Sequence, residues 1–130
     1  RPMAYYQDFQ DAMNQMHKAI GIYLALNADQ DDLVAAEDIG YMGYYSDLRI
    51  LDRDGLVSPE AIPYNRSGDY LGLIRDYRPD WVVAAPDSPT SGFVTDSVFV
   101  SMYKAEKHFP YENLGYTVFA RRPESITGQD

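Results

Sequence analysis

Short apolar runs that alternate with helix-like segments constrain this chain more than any other feature of its sequence. The runs at 33–36, 49–51 and 81–85 are bounded by charged or turn-forming residues, which is typical of short buried strands. The segment "GYTVFARR" adds a last strand at 116–121. Strands that alternate with helices predict an α/β fold, namely a three-layer, Rossmann-like domain whose small, mostly parallel sheet of about four strands is flanked by helices.

The first 27 residues predict one long helix. Apolar side chains recur there at steps of three and four, which places them on one face, and a stripe of this kind is typical of core packing. Asn27 and the acidic segment 29–32 end the helix. The stripe consists of Tyr6, Phe9, Met13, Met16, Ile20, Tyr23 and Leu24.

Three further segments carry helix signals. "SPEAI", which begins at residue 58, suits the start of a short helix, and Asp69 begins a stronger helix that Pro79 stops. Residues 95–107 combine a helix-like start, "TD", with the strand-prone "SVFV", and two aromatic residues one helical turn apart favour a helix there. The predicted core consists of Phe9, Met13, Ile20, Val34, Ile39, Ile50, Leu56, Leu73, Ile74, Val82, Val83 and Val118.

Composition limits the classes of protein to which this chain can belong. Its 130 residues, 45% of them hydrophobic, suffice for one domain over 1–130 with a frayed tail at 123–130. The net charge is −9 and neither half of the chain is basic, so no nucleic-acid partner is expected. Cysteine is absent, which excludes disulfides and thiolate metal sites.

The beginning of the sequence predicts that it belongs to a longer protein. It starts at Arg1 without an initiator methionine or a signal peptide. The chain itself contains no run of 18 apolar residues, so any membrane-spanning part has to lie elsewhere.

Polar residues follow the first two predicted strands, at the edge where α/β sheets usually bind ligands. Carboxylates there suit Mg²⁺, but helix capping and solvation are the favoured explanation, and neither a metal ligand nor a cofactor is assigned. The tyrosines suit stacking on a sugar or core packing. The predicted ligand-binding residues are Glu37, Asp38, Tyr44, Tyr45, Asp52 and Asp54.

"ILDRDGLV" resembles the first motif of haloacid-dehalogenase-type phosphatases, an apolar strand followed by D-x-D-G. In that chemistry Asp52 would attack phosphorus, Asp54 would transfer the proton and Mg²⁺ would neutralise charge. Ser88 could supply the required hydroxyl, and Lys104 or Lys107 the lysine. No acidic pair follows to complete the metal site, so a Mg²⁺-dependent phosphatase is the alternative hypothesis.

A second resemblance extends over about residues 33–122. "VAAEDIGYMGYYSDLRILDRDGLVSPEAI" followed by "YRPDWVV" resembles the soluble C-terminal region of bacterial multi-pass membrane glycosyltransferases of the C-type fold. These enzymes depend on polyprenyl-phosphate sugars and include mannosyl- and arabinosyltransferase-like members. The matching pieces occur in the family's order: D-x-G, an aromatic pair, a strand that ends in Asp, G-L, and R-P-D before an apolar strand.

This resemblance implies a non-catalytic accessory domain on the extracytoplasmic face of the bacterial plasma membrane. The family's sugar-transfer carboxylates lie in its membrane portion, so no catalytic residue transfers to this chain. The implied partners are the transmembrane part of the same protein and a glycan or lipid-linked sugar. The implied role is acceptor recognition or support of the membrane part. A free-standing ligand-binding or interaction domain is the third hypothesis.

Overall fold

The computed structural model describes residues 2–36, 46–52, 59–86, 89–111 and 114–123. These residues form four α-helices, two 3₁₀ segments and five strands. The α-helices are α1 (Pro2–Asn27), α2 (Ile62–Ser67), α3 (Tyr70–Tyr77) and α4 (Ser97–Met102), and the 3₁₀ segments are Pro59–Ala61 and Pro89–Thr95. The strands are β1 (Leu33–Ala36), β2 (Arg49–Asp52), β3 (Trp81–Ala84), β4 (Tyr103–Tyr111) and β5 (Leu114–Arg121).

The strands form a single mixed sheet in the order β2-β1-β3-β5-β4. β1 pairs in parallel with β2 and β3, as the sequence predicts for this half. The other half is antiparallel, since β5 pairs antiparallel with both β3 and β4. The prediction of a mostly parallel sheet of about four strands is therefore wrong, although the α/β class is confirmed.

The error lies in residues 95–107, which were predicted to form a helix. Asp96 does cap a helix, because its carboxylate accepts a hydrogen bond from the Val98 amide at 2.8 Å, but α4 ends at Met102. Tyr103 then begins β4, which forms a hairpin with β5. Two consecutive strands joined by so short a connection can only pair antiparallel.

Gly115 fixes the geometry of that hairpin. Its φ of +152° suits glycine, and a Cβ atom there would lie 2.7 Å from the Phe109 carbonyl oxygen. β4 is also an edge strand, and its two lysines and Pro110 are typical of edges that resist further pairing. These residues were the signal for a strand that helical spacing obscured.

Helices cover both faces of the sheet. On one face, Met16, Ile20 and Leu24 of α1 pack with the strand residues Val34, Ala36, Val83 and Val118. On the other face, α3 and α4 cover a second cluster, whose buried strand residues are Ala35, Leu51, Val82, Ala84, Tyr103 and Phe119. This alternation follows the two-residue period of the strands.

The predicted core agrees with the observed one at most of the described positions. Met13 and Ile50 are half-buried against the α1-side cluster. Ile39 and Leu56 lie outside the described residues, and the side chain of Phe9 is likewise not described. The predicted residues found buried are Ile20, Val34, Leu73, Ile74, Val82, Val83 and Val118.

The ends of α3 were predicted from local signals, and the structure confirms them. The Asp69 carboxylate accepts a hydrogen bond from the Gly72 amide at 2.9 Å and so caps the N-terminus. Arg78 ends the helix with a φ of 48°, in the left-handed region, and its amide donates to the Ile74 carbonyl at 2.8 Å. Pro79 follows and cannot continue the helix.

The R-P-D motif at 78–80 connects three strands to the start of β3. The Asp80 carboxylate accepts a hydrogen bond from the Leu33 amide at 2.9 Å and pairs with the Arg121 guanidinium at 3.0 Å. The Tyr103 hydroxyl donates to the Pro79 carbonyl at 2.6 Å, and burial raises the pKa of Tyr103 above its ordinary value. The motif therefore joins β1, β4 and β5 to the start of β3.

Candidate functional site

The predicted site lies at the carboxyl ends of β1 and β2, which share one edge of the sheet because the two strands are parallel. The register places Ala36 of β1 beside Asp52 of β2 at this edge. Asp52 is the one predicted site residue within the described part of the chain. Glu37, Asp38, Tyr44, Tyr45 and Asp54 lie outside the described residues, so their convergence stays a prediction.

Asp52 occupies a buried position rather than an open one. It is the last residue of β2, with an exposed fraction of 0%. The strand period places its side chain on the same face as that of Ile50, which is the face covered by α1. A phosphorus nucleophile has to meet its substrate, and this location favours a structural role.

The lysines proposed for the phosphatase chemistry lie at the opposite side of the sheet. Lys104 and Lys107 belong to β4, which is four strand positions away from β2. With neighbouring strands about 4.8 Å apart, the two backbones are separated by roughly 19 Å. Lys104 instead pairs with Glu106 at 3.2 Å. Neither lysine can complete a site around Asp52.

The remaining parts of the phosphatase pattern find no support in the described residues. Within those residues no group of three or more His, Asp or Glu side chains could hold a metal ion. Asp87 and Ser88 lie outside the described part.

Ser91, in the 3₁₀ segment Pro89–Thr95 after β3, is a buried polar residue. Its exposed fraction is 0%, and its Oγ has no hydrogen-bond partner among the described residues. No sequence pattern singled it out.

Both histidines take part in ordinary contacts between secondary-structure elements. His17 Nε2 of α1 lies 3.2 Å from the Tyr116 hydroxyl, and the two rings meet edge to face at 5.2 Å. His108 Nδ1 of β4 lies 2.9 Å from Thr117 Oγ1 of the paired strand. These contacts give both histidines a packing role between neighbouring elements.

The amino-terminal edge of the parallel strands carries a second group of polar side chains. A cavity of about 520 Å³ opens there between the ends of α3, α4 and β5. Four arginines line it, from two regions far apart in sequence: Arg75 and Arg78 at the end of α3, and Arg121 and Arg122 at the end of β5. The sequence does not single out these arginines as a site, because only the fold brings residues 75 and 78 beside residues 121 and 122.

A protein-family model matches this chain over most of its length. The model of the family described as "Domain of unknown function (DUF8728)" matches residues 4–126, which is nearly the whole chain. The chain belongs to the DUF8728 family. No curated protein and no solved structure matches it.

The described part of this DUF8728 domain uses its motif residues mainly to build the fold. Asp80 clamps strands together, Asp69 caps α3, and Asp52 is buried at the end of β2. None of the helices in the described ranges is sufficiently long and apolar to cross a membrane. Asp80 and Asp69 therefore serve the fold directly, and Asp52 is enclosed by it.

Proposed function

We propose that this DUF8728 domain is a non-catalytic accessory domain of a membrane glycosyltransferase, located on the extracytoplasmic face of the membrane. The order of motifs from 33 to 122 motivates the assignment, and one structural observation carries its non-catalytic part. Asp52, the residue that would make the D-x-D-G segment an enzyme, is fully buried at the end of β2. Its proposed lysine partners lie roughly 19 Å away across the sheet.

The R-P-D motif supports the same proposal. This motif is part of the resemblance, and its residues serve the sheet: Asp80 joins β1 to β5, and Pro79 accepts from Tyr103. Such a structural role of the motif is expected in a domain that supports another part of the same protein. In this proposal the domain supports the membrane part or assists recognition of the acceptor.

The coding sequence that adjoins this chain is the direct test of the assignment. Several long apolar segments in the same reading frame, together with acidic loops between them, would support it. A reading frame that encodes this domain without any apolar segment of about 20 residues would overturn it.

We expect cysteine labelling to locate the domain outside the cytoplasm. The chain has no cysteine, so Gln15→Cys on the exposed side of α1 introduces a unique thiol in this domain. In intact bacterial cells that express the whole protein, a membrane-impermeant maleimide should label this variant and not the parent. Leu24→Cys, whose position is 0% exposed on the same helix, is the matched control and should stay unlabelled. Labelling of Gln15→Cys only after cell lysis would contradict the location.

We expect the isolated 130-residue chain to hydrolyse no phosphate ester. The reason is that phosphoryl transfer to Asp52 requires a metal site, a lysine and a hydroxyl within hydrogen-bond reach of the substrate. The purified chain and Asp52→Asn should both give background rates with a generic phosphate ester and Mg²⁺. Turnover by the parent that is lost in Asp52→Asn would establish the phosphatase hypothesis and reject the accessory role.

A further inference from the structure

The cavity at the amino-terminal edge of the sheet has the composition of an anion site, and we call it the arginine cleft. Its volume of about 520 Å³ lies within the roughly 300–1,000 Å³ that is usual for small-molecule sites. The side chains that form it come from the last turns of α3 and α4 and from the end of β5. They are Arg75, Arg78, Ser101, Met102, Arg121, Arg122 and Pro123.

The charge of the cleft is opposite to that of the whole chain. The chain has 11 Lys and Arg residues against 20 Asp and Glu residues, yet four of its arginines line this one cavity. Asp80 pairs with Arg121 at 3.0 Å. In a chain with a net charge of −9, four arginines around one cavity concentrate positive charge at one place on the surface.

Part of the cluster serves the fold, and that part also holds the cleft in shape. Arg121 Nη1 donates to the Arg78 carbonyl and Nη2 to the Asp80 carboxylate, while Arg122 Nε donates to the Val100 carbonyl at 3.0 Å. The Arg122 amide also donates to the Met102 carbonyl at 2.6 Å. These bonds fix the Arg121 and Arg122 guanidinium groups against the ends of α3 and α4.

The fixed guanidinium groups retain donors for a ligand. Each guanidinium carries five N–H donors in a planar fork, and the contacts with described residues use two on Arg121 and one on Arg122. Arg75 adds a further exposed guanidinium from the last turn of α3. Guanidinium groups suit phosphate oxygens because they can bind them in a bidentate manner.

Met102 and Pro123 add an apolar wall beside these charges. A site that combines several guanidinium groups with a small apolar surface suits a phosphorylated molecule better than a bare monovalent anion. A phosphate or diphosphate group provides two or more negative charges and several acceptor oxygens in a volume that this cleft can contain.

We propose that the arginine cleft binds a ligand through a phosphate or diphosphate group, either a soluble phosphorylated molecule or the phosphate of a lipid head group. The site is distinct from the carboxyl edge of the sheet. The proposal rests on the geometry of the cleft and does not depend on an association with a glycosyltransferase.

Titration with inorganic pyrophosphate tests the recognition chemistry. At low ionic strength, ¹H–¹⁵N NMR of the chain should show saturable shifts around the cleft, with a Kd on the order of 0.1–1 mM that weakens as salt is added. Arg75→Gln should weaken binding about tenfold, and Arg122→Gln by a similar factor, because each removes a charged donor. Both variants should keep the parental melting temperature within a few degrees, which separates lost binding from lost folding.

Arg66→Gln is the matched control. Arg66 is also an exposed arginine in the last turn of a helix, α2, but it does not line the cleft. Its variant should bind pyrophosphate like the parent. Equal weakening by Arg66→Gln and Arg75→Gln would reduce the effect to overall charge and overturn the site. Absence of saturable binding up to about 10 mM would overturn it as well.

Vesicles distinguish the two sources of the phosphate. The chain is mixed with phosphatidylcholine vesicles that contain or lack phosphatidic acid, and co-sedimentation is measured for the parent and Arg75→Gln. Binding that requires both phosphatidic acid and Arg75 supports a lipid phosphate. Pyrophosphate binding without co-sedimentation supports a soluble ligand. Binding in neither assay rejects the proposal.

Discussion

Val83→Asp should leave this domain unfolded at room temperature. Val83 is 3% exposed on β3, the central strand of the sheet, and pairs directly with Val118 of β5. Its side chain packs among the apolar residues that α1 covers. An ionised carboxylate there lies among apolar side chains, so its desolvation costs several kcal/mol, and the lost burial of valine adds roughly 1.5–3 kcal/mol. Together these losses reach the lower part of the roughly 5–15 kcal/mol that stabilises an ordinary domain.

Circular dichroism and thermal melting measure this effect, and Val98→Asp provides the control. Val98 is also a valine, but it is 39% exposed near the N-terminus of α4, where an acidic side chain is favourable. The control should melt within a few degrees of the parent, whereas Val83→Asp should lose its cooperative transition. An unchanged melting temperature for Val83→Asp would show that β3 is not placed as described.

Phe99→Ala should destabilise the domain by about 3–5 kcal/mol, which is the usual cost of emptying a buried phenylalanine site. Phe99 is 1% exposed and contacts three other rings. It stacks on Tyr103 at 4.9 Å and meets Phe93 and Phe119 edge to face, each at 5.1 Å. It therefore connects α4, the 3₁₀ segment Pro89–Thr95, β4 and β5. Its removal leaves a cavity among four separate elements, which cannot all move in to fill it.

Denaturant unfolding measures this loss as a lower midpoint with an unchanged slope. Val100→Ala, one residue away on the same helix and 48% exposed, should change the free energy of unfolding by less than about 1 kcal/mol. A Phe99→Ala variant as stable as Val100→Ala would mean that the aromatic cluster does not hold α4 to the sheet.

The candidate site could be predicted only in part, for reasons that differ between its two edges. The carboxyl edge follows from strand order, because the ends of consecutive parallel strands meet at one edge whatever their side chains are. Burial of Asp52 does not follow from its sequence, since D-x-D-G after an apolar strand suits an open catalytic turn and a closed structural one equally well. The arginine cleft was out of reach, because it depends on Arg121 and Arg122 returning along β5 to the end of α3.

The sequence by itself determined the elements whose signals are local. α1 ends at Asn27, Asp69 caps α3, and Leu33–Ala36 and Trp81–Ala84 form strands, because periodicity, capping and apolar runs act over a few neighbouring residues. Only the tertiary structure decided that Tyr103 begins a strand and that β5 inserts between β3 and β4. The segment "SVFVSMYKAEK" has weak preferences of both kinds. Hydrogen bonds to the following strand β5, together with burial of Phe99 and Tyr103, outweigh its local helical spacing.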